Sequence, residues 1–270
     1  MAISDRMSEQ KKLVINNLRQ QERLVLQRNA ELVSELKRIP HLPLQLIFDT
    51  QTLLKEAKQI QEFRSHELHQ TKQLPQWYYE HHKNSFRGQC LVDYKSDGDQ
   101  GMQDAEGHLF EEPDAQFDSQ NRLKFFDTVW GHKMPESLKT FRQMTPYLNR
   151  TRLISTPPGG GIHWHSHHNN VYQNSYLRLA VIILTLETND ESIHGVRDYR
   201  EENGPTYFQK YKPGVAYLFN SWHNHDFWNR GKSNRLTLIS YMNFPDENLL
   251  KFLESSVSQY TGPRLEVDKR

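Results

Sequence analysis

The stretches PPGGGIHWHSHH, residues 157–168, and KPGVAYLFNSWHNHDFWNRG, residues 212–231, decide the fold of this chain. They alternate with two apolar runs, YLRLAVIILTLE at 176–187 and NRLTLISYMNF at 234–244. β-branched and aromatic residues fill these segments while Gly, Pro and Asn separate them, which is typical of short strands joined by turns. Several such strands in succession predict a mainly β domain, either a sandwich or a barrel.

The β domain begins near Leu74, where aromatic and β-branched residues first mix with turn formers, and we place it at residues 73–245. Residues 1–72 before it predict a helical extension. Residues 246–270 after it predict a C-terminal helix, ENLLKFLESSVSQY, and a polar tail. The 270 residues suffice for one such domain with its extensions.

The N-terminal extension has the pattern of a helical hairpin. A long amphipathic helix is predicted over residues 8–38, because apolar residues recur every seven positions from Leu18 and the segment lacks Gly and Pro. Pro40 ends it, and a second helix is predicted from Asp49, its N-cap, to His69. The hairpin either packs on the main domain or joins two copies of the chain as a homodimer.

Charge and composition exclude some partners. The formal net charge is +1 with scattered Lys and Arg, which argues against a nucleic-acid or anionic-membrane partner. No apolar run is long enough for a transmembrane helix, and we see no secretory signal. The single cysteine, Cys90, excludes an intramolecular disulfide and fits a reducing compartment, so we expect a cytoplasmic protein.

Histidines cluster in the two stretches quoted above, residues 157–168 and 212–231. His163, His165, His167 and His168 fall within six residues after the glycine turn, and His225 lies sixty residues beyond His165. Alternate residues of a strand share one face, so we expect the first three to point the same way. Together with His225 they form an imidazole set suited to Fe, Zn, Cu or Ni; the alternative is a group of hydrogen-bonded turn residues.

Two arginines lie in strand-like apolar runs. Arg235 follows His225 by ten residues, and Arg178 has a weaker case of the same kind. A buried guanidinium is costly without an anion, and its planar fork suits a carboxylate. The alternative for Arg235 is an edge strand facing solvent.

These residues resemble the aspartyl/asparaginyl β-hydroxylase superfamily, which includes cis-proline hydroxylase-like enzymes. The similarity runs from about Leu74 to Phe244 and is densest in the PPGGGIHWH segment and in the segment from Gly214 to Arg235. It implies a double-stranded β-helix of the jelly-roll or cupin-like kind, with Fe(II) and 2-oxoglutarate as cofactors and O₂ as co-reactant. The activity implied is that of a dioxygenase hydroxylating an amino acid, a peptidyl side chain or another small polar substrate.

The resemblance also implies roles for single residues. His165 and His225 match the metal ligands, and Arg235 matches the residue that binds the distal carboxylate of 2-oxoglutarate. Arg178 would line the cosubstrate or substrate site. We expect Trp164, Trp222 and an acidic loop over 98–119 to shape the substrate pocket.

One position departs from the family pattern, since His167 stands where the proline hydroxylases have Asp. The metal would then be held by His165, His167 and His225, by two histidines and water, or by a shifted ligand such as His163 or His168. Two rival functions follow: a three-histidine cupin-type dioxygenase that does not use 2-oxoglutarate, and a non-catalytic module that binds metal or a ligand.

Overall fold

A computed structural model gives the fold of the chain. The structure describes the following residues: 20, 23–25, 27–60, 64–65, 87–93, 124–148, 150–165, 180–198, 204–221, 223–241 and 247–266.

Twelve described strands form two antiparallel sheets. In chain order they are β1 (His41–Leu44), β2 (Arg64–Ser65), β3 (Arg87–Asp93), β4 (Phe126–Asp127), β5 (Thr151–Thr156), β6 (Gly161–His165), β7 (Ala180–Glu187), β8 (Ser192–Arg197), β9 (Thr206–Gln209), β10 (Ala216–Asn220), β11 (Asn224–Asn229) and β12 (Arg235–Tyr241). The large sheet has the order β1-β10-β7-β12-β5-β3-β2, with β4 beside β3, and the small sheet has the order β6-β11-β8-β9. This confirms the expected mainly β fold, a double-stranded β-helix with helices attached.

Four α-helices of the described ranges cover one face of the large sheet. They are α1 (Ala30–Arg38), α2 (Thr50–Ala57), α3 (Pro135–Arg142) and α4 (Glu247–Ser258). Apolar side chains of these helices, such as Leu36, Leu53 and Phe141, form one buried cluster with Leu153 and Leu238 of the sheet. Burial of this apolar surface is the main favourable contribution to the stability of the fold.

The other face of the large sheet looks into the barrel, toward the small sheet. Val181, Ile183, Tyr217 and Phe219 form a second buried cluster there. Side chains alternate along each strand, so residues that flank the helix-facing leucines point into this interior. The interior is therefore enclosed by two sheets and lined largely by apolar and aromatic side chains.

The N-terminal extension contributes strands to the large sheet. The segment between the two predicted helices is strand β1 rather than a turn, and it pairs with β10, with His41 opposite Phe219. Pro43 is tolerated because β1 is the outermost strand, where a missing N–H costs no ladder bond. Leu42 and Leu44 enter the core beneath the helices.

The second predicted helix begins where expected but is shorter. Asp49 is its N-cap and accepts hydrogen bonds from the backbone N–H groups of Gln51 and Thr52. The helix ends at Ala57 instead of His69, and Arg64 and Ser65 form a strand paired with β3. Pairing with the sheet overrides the local helical pattern here.

The mainly β character of the domain is confirmed, and the structure adds two strands to the apolar runs. Strand β8 has the sequence SIHGVR, and β11 includes the aromatic segment NHDFWN. These two strands form the centre of the small sheet. No helix in the described ranges is long and apolar enough to cross a membrane.

Candidate metal and anion site

The glycine run after β5 brings β6 close to β11. Gly161 is paired with Trp228, and a Cβ at Gly161 would collide with the carbonyl oxygen of Phe227. The backbone N–H of Gly159 donates to the carbonyl of Asn229 at 2.8 Å, and the N–H of Asn229 donates to the carbonyl of Gly160 at 2.8 Å. The PPGGG segment thus allows the histidine-rich strand to dock on β11.

The turn from β11 to β12 is held by an asparagine side chain. Asn229 is fully buried; its Oδ1 accepts from the N–H of Gly231 at 3.2 Å and its Nδ2 donates to the carbonyl of Ser233 at 2.9 Å. Gly231 lies against the Asn189 side chain, where a Cβ would have no room. This turn explains the ten-residue interval from His225 to Arg235, because it folds the two strands back on each other across the barrel.

His225 faces the barrel interior from β11. The residue is 4% exposed, and its Nδ1 lies 2.9 Å from the carbonyl oxygen of His223. A carbonyl only accepts, so Nδ1 carries the proton of the neutral ring and Nε2 has the lone pair. Histidine ligands of metals commonly have this arrangement, in which a backbone carbonyl fixes the tautomer.

The register of β6 on β11 places His165 directly opposite His225. A bulge follows, since the next pair is Ile162 with Phe227, and His163 and Trp164 together oppose one residue of β11. The ring of His163 packs edge-on against Trp228 at 4.8 Å between centroids. Trp228 alternates with Phe227 and so belongs to the outer face of the small sheet.

His163 therefore lies on the outer face, and whether His165 and His167 share that face stays a prediction, because their side chains lie outside the described part of the chain. The bulge breaks strict alternation and turns His163 and its neighbour outward. Trp164 lies under the guanidinium of Arg197, 4.4 Å from its ring centroid, and against Gly195 on the outer face. Trp164 thus does not line the barrel interior, contrary to the role we expected for it.

Arg235 is buried inside the barrel, as its position in an apolar run predicted, and not on an edge strand. Its guanidinium lies 4.3 Å from the ring centroid of Phe227 and 5.9 Å from that of Tyr211, and it donates to the hydroxyl of Thr185 at 3.2 Å. Burial lowers the pKa of Arg235 to about 10, although the nearby Tyr211 raises it. It remains a cation at neutral pH.

Within the described part of the chain, no carboxylate lies within 4 Å of the Arg235 guanidinium. A buried guanidinium of this kind is stabilised by an anion with two parallel acceptor atoms. Arg235 packs on Phe227, and His225 lies two residues away on the same face of β11, about 7 Å along the strand. The interior therefore presents the imidazole of His225 and, packed on Phe227 two positions along the same strand, the buried guanidinium of Arg235.

The interior holds two more histidines that sequence reasoning missed. The ring of His194, on β8, stacks parallel to that of His225 with centroids 6.3 Å apart. His41, on β1, meets His194 edge-on at 5.5 Å. Both are isolated histidines in sequence, and only the alternation of SIHGVR, once read as a strand, would have placed His194 inside.

Several predicted residues lie outside the described residues, namely His167, His168, Arg178, Trp222 and the 98–119 loop. Among the residues that the structure does describe, no three His, Cys, Asp or Glu side chains form a group that could hold a metal ion. Of the predicted site, the structure thus describes the side chains of His225 and Arg235 and the backbone position of His165 opposite His225.

No family model matches the sequence, and no curated protein matches it. Among solved structures, the chain is similar to an oxidoreductase of the 2OG-Fe(II) oxygenase family from Burkholderia pseudomallei. The two share 10% identity over 78% of this chain and 88% of that one, with a TM-score of 0.46. It is also similar to a cupin domain from Bordetella pertussis Tohama I, at 15% identity over 35% of this chain and 81% of that one, with a TM-score of 0.26. An oxalate oxidase shares 16% identity over 34% of this chain and 40% of that one, at a TM-score of 0.26.

Proposed function

We propose that this protein is a non-haem Fe(II)- and 2-oxoglutarate-dependent dioxygenase that hydroxylates an amino acid, a peptidyl side chain or another small polar substrate. The observation that carries the proposal is the combination, in one barrel, of His165 opposite His225 and of a buried guanidinium at Arg235. Directly opposed residues of an antiparallel pair share a face, so this register supports a two-histidine base for a metal.

In this proposal His165, His225 and His167 hold Fe(II), for which imidazole is a suitable ligand. The carbonyl of His223 keeps the His225 ring in the tautomer that offers Nε2 to a metal. When bound, iron and 2-oxoglutarate supply the O₂-dependent oxidation, and 2-oxoglutarate leaves as succinate and CO₂.

The chain's own residues bind and orient the cosubstrate. Arg235 binds the carboxylate of 2-oxoglutarate that is distant from the metal, and the hydroxyl of Thr185 fixes one nitrogen of its fork. Phe227 covers one side of the guanidinium and excludes water from it. The low polarity of these walls strengthens the attraction between the cation and the carboxylate.

The test is succinate formation from 2-oxoglutarate by protein loaded with Fe(II) under nitrogen and then exposed to O₂. We expect slow turnover without substrate in the wild type and none in His225→Ala. Arg235→Ala should show turnover only at high 2-oxoglutarate concentration. His163→Ala is the matched control, because that histidine lies on the outer face, and it should keep the wild-type rate.

Other results would point elsewhere. O₂ consumption without succinate would replace the proposal with the cupin-type dioxygenase. Metal binding without any turnover, for a panel of amino acids and peptides, would favour the non-catalytic module. Loss of turnover in His163→Ala equal to that in His225→Ala would contradict the assignment of the interior site.

A further inference from the structure

His41 connects the N-terminal strand to the interior of the barrel. It is 5% exposed, its Nδ1 lies 2.8 Å from the hydroxyl of Tyr211, and its Nε2 lies 3.1 Å from the backbone carbonyl oxygen of Tyr207. Burial lowers the pKa of His41 from 6.5 to about 4, although the bond to Tyr207 raises it, so the ring is neutral at neutral pH.

These two partners decide which ring nitrogen of His41 carries its proton. The carbonyl of Tyr207 can only accept, so Nε2 must be the donor. The unprotonated Nδ1 then accepts, and the hydroxyl of Tyr211 donates to it. Tyr211 keeps that proton, since burial raises its pKa well above 10 despite the nearby Arg235. The hydrogen bond therefore has one fixed direction, from Tyr211 to His41.

Tyr211 in turn borders the guanidinium of Arg235. The cation has the ring of Phe227 at 4.3 Å and the ring of Tyr211 at 5.9 Å. Tyr211 stacks on Tyr217 with centroids 4.5 Å apart. Stacking on Tyr217 and the hydrogen bond to His41 together hold the Tyr211 ring in place. The position of the ring beside Arg235 thus depends on His41.

We propose that His41 is a positioning residue of the Arg235 anion site, acting through Tyr211. By holding Tyr211, His41 limits the orientations of the guanidinium fork to the one that meets a carboxylate with two parallel bonds. The inference rests on the proposed function, because the anion meant is 2-oxoglutarate. It assigns part of the cosubstrate site to the N-terminal extension.

The experiment separates the two hydrogen bonds of His41. In His41→Asn the side-chain oxygen lies near the position of Nδ1 and can accept from Tyr211. In His41→Gln the amide N–H lies near the position of Nε2 and can donate to Tyr207, so only the Tyr211 bond is lost. Tyr211→Phe removes the hydroxyl alone. The readout is the Kd of 2-oxoglutarate for protein loaded with Mn(II) under nitrogen, measured by titration calorimetry.

We expect His41→Asn to bind 2-oxoglutarate within about twofold of wild type. We expect His41→Gln and Tyr211→Phe to weaken binding by about three- to tenfold, the size of one neutral hydrogen bond. Thermal unfolding of each variant identifies any that fail to fold. If a His41 variant fails to fold, Tyr211→Phe, which removes one buried atom, still tests the inference.

Equal weakening in His41→Asn and His41→Gln would overturn the inference, because it would show a packing role independent of Tyr211. Wild-type affinity in Tyr211→Phe would overturn it too. Arg235→Ala distinguishes failure of the proposed function from failure of the role proposed for His41. If Arg235→Ala binds 2-oxoglutarate as tightly as wild type, the proposed function fails; if it loses binding while His41→Gln does not, only the role of His41 fails.

Discussion

Two of the arginines buried in the described residues, Arg150 and Arg235, have opposite surroundings. Arg150, 1% exposed, has Asp93 at 3.5 Å, and the carboxylate is fully buried as well. Arg235, 4% exposed, has neutral rings and a hydroxyl around it and, in the described ranges, no carboxylate. Removing a guanidinium that is paired with an internal anion destabilises the native structure, because the anion is left buried without that partner. One without an anion costs free energy in the empty protein and is suited to an anion that binds from outside.

The largest expected effect concerns the paired arginine. Arg150→Met leaves the Asp93 carboxylate buried without this partner, so we expect the free energy of unfolding to fall by about 3–5 kcal/mol. Urea unfolding measures it. Arg142→Met is the matched control, because the Arg142–Asp127 pair is partly exposed and should contribute no more than about 1 kcal/mol. A loss below that value for Arg150→Met would remove the contrast between the two arginines.

The second prediction concerns the neutrality of the neighbours of Arg235. The unfolded chain protonates His41 below pH 6.5, whereas the folded chain does so only near pH 4. The contribution of neutral His41 to the free energy of unfolding should therefore be fully present above pH 6.5. The free energy of unfolding should fall by about 3 kcal/mol as the pH drops to 4. Urea unfolding between pH 4 and 7 should show a shallower slope for His41→Gln than for wild type. Equal slopes in the two proteins would contradict the prediction, because they would show that folding does not lower the pKa of His41.

A slightly smaller effect is expected from the cosubstrate. At a 2-oxoglutarate concentration of 100 times its Kd, with Mn(II) and without O₂, the free energy of unfolding of the wild type should rise by about 2.7 kcal/mol. Arg235→Met should show no such increase at the same concentration, while His163→Ala should match the wild type. The same stabilisation in Arg235→Met would place the anion elsewhere.

The smallest expected effect is that of removing the Arg235 charge from the protein without ligand. Arg235→Met without ligand should leave the free energy of unfolding unchanged or raise it by about 1 kcal/mol, because it removes a buried charge and keeps the packing on Phe227. Urea unfolding of Arg235→Met and Arg150→Met side by side tests this. A loss of several kcal/mol in both variants would show that both arginines are structural.

Local patterns predicted the parts of the fold that depend on local physics. The strand around Arg235 and the interval back to His225 follow from alternation and from a turn that Asn229 and Gly231 close. The cap at Asp49 follows from side-chain chemistry. Each of these features is determined by residues close together in sequence.

The features that escaped prediction depend on distant pairings. The bulge at His163 exists only through the register with β11, so alternation along β6 alone could not predict it. The four-residue strand β1 has little signal of its own, and its partner β10 is far away in sequence. His41, His194 and Tyr211 are isolated in the sequence and meet only when the barrel closes.

The position of β1 has a consequence for how the molecule is made. His41 pairs opposite Phe219, so the ribosome must add 178 residues after His41 before its partner exists. At typical synthesis rates this takes roughly 10–35 s, during which Leu42 and Leu44 lack the sheet that will bury them. Contacts so distant in sequence also form slowly. The first described strand of the barrel to be synthesised is therefore among the last to be incorporated.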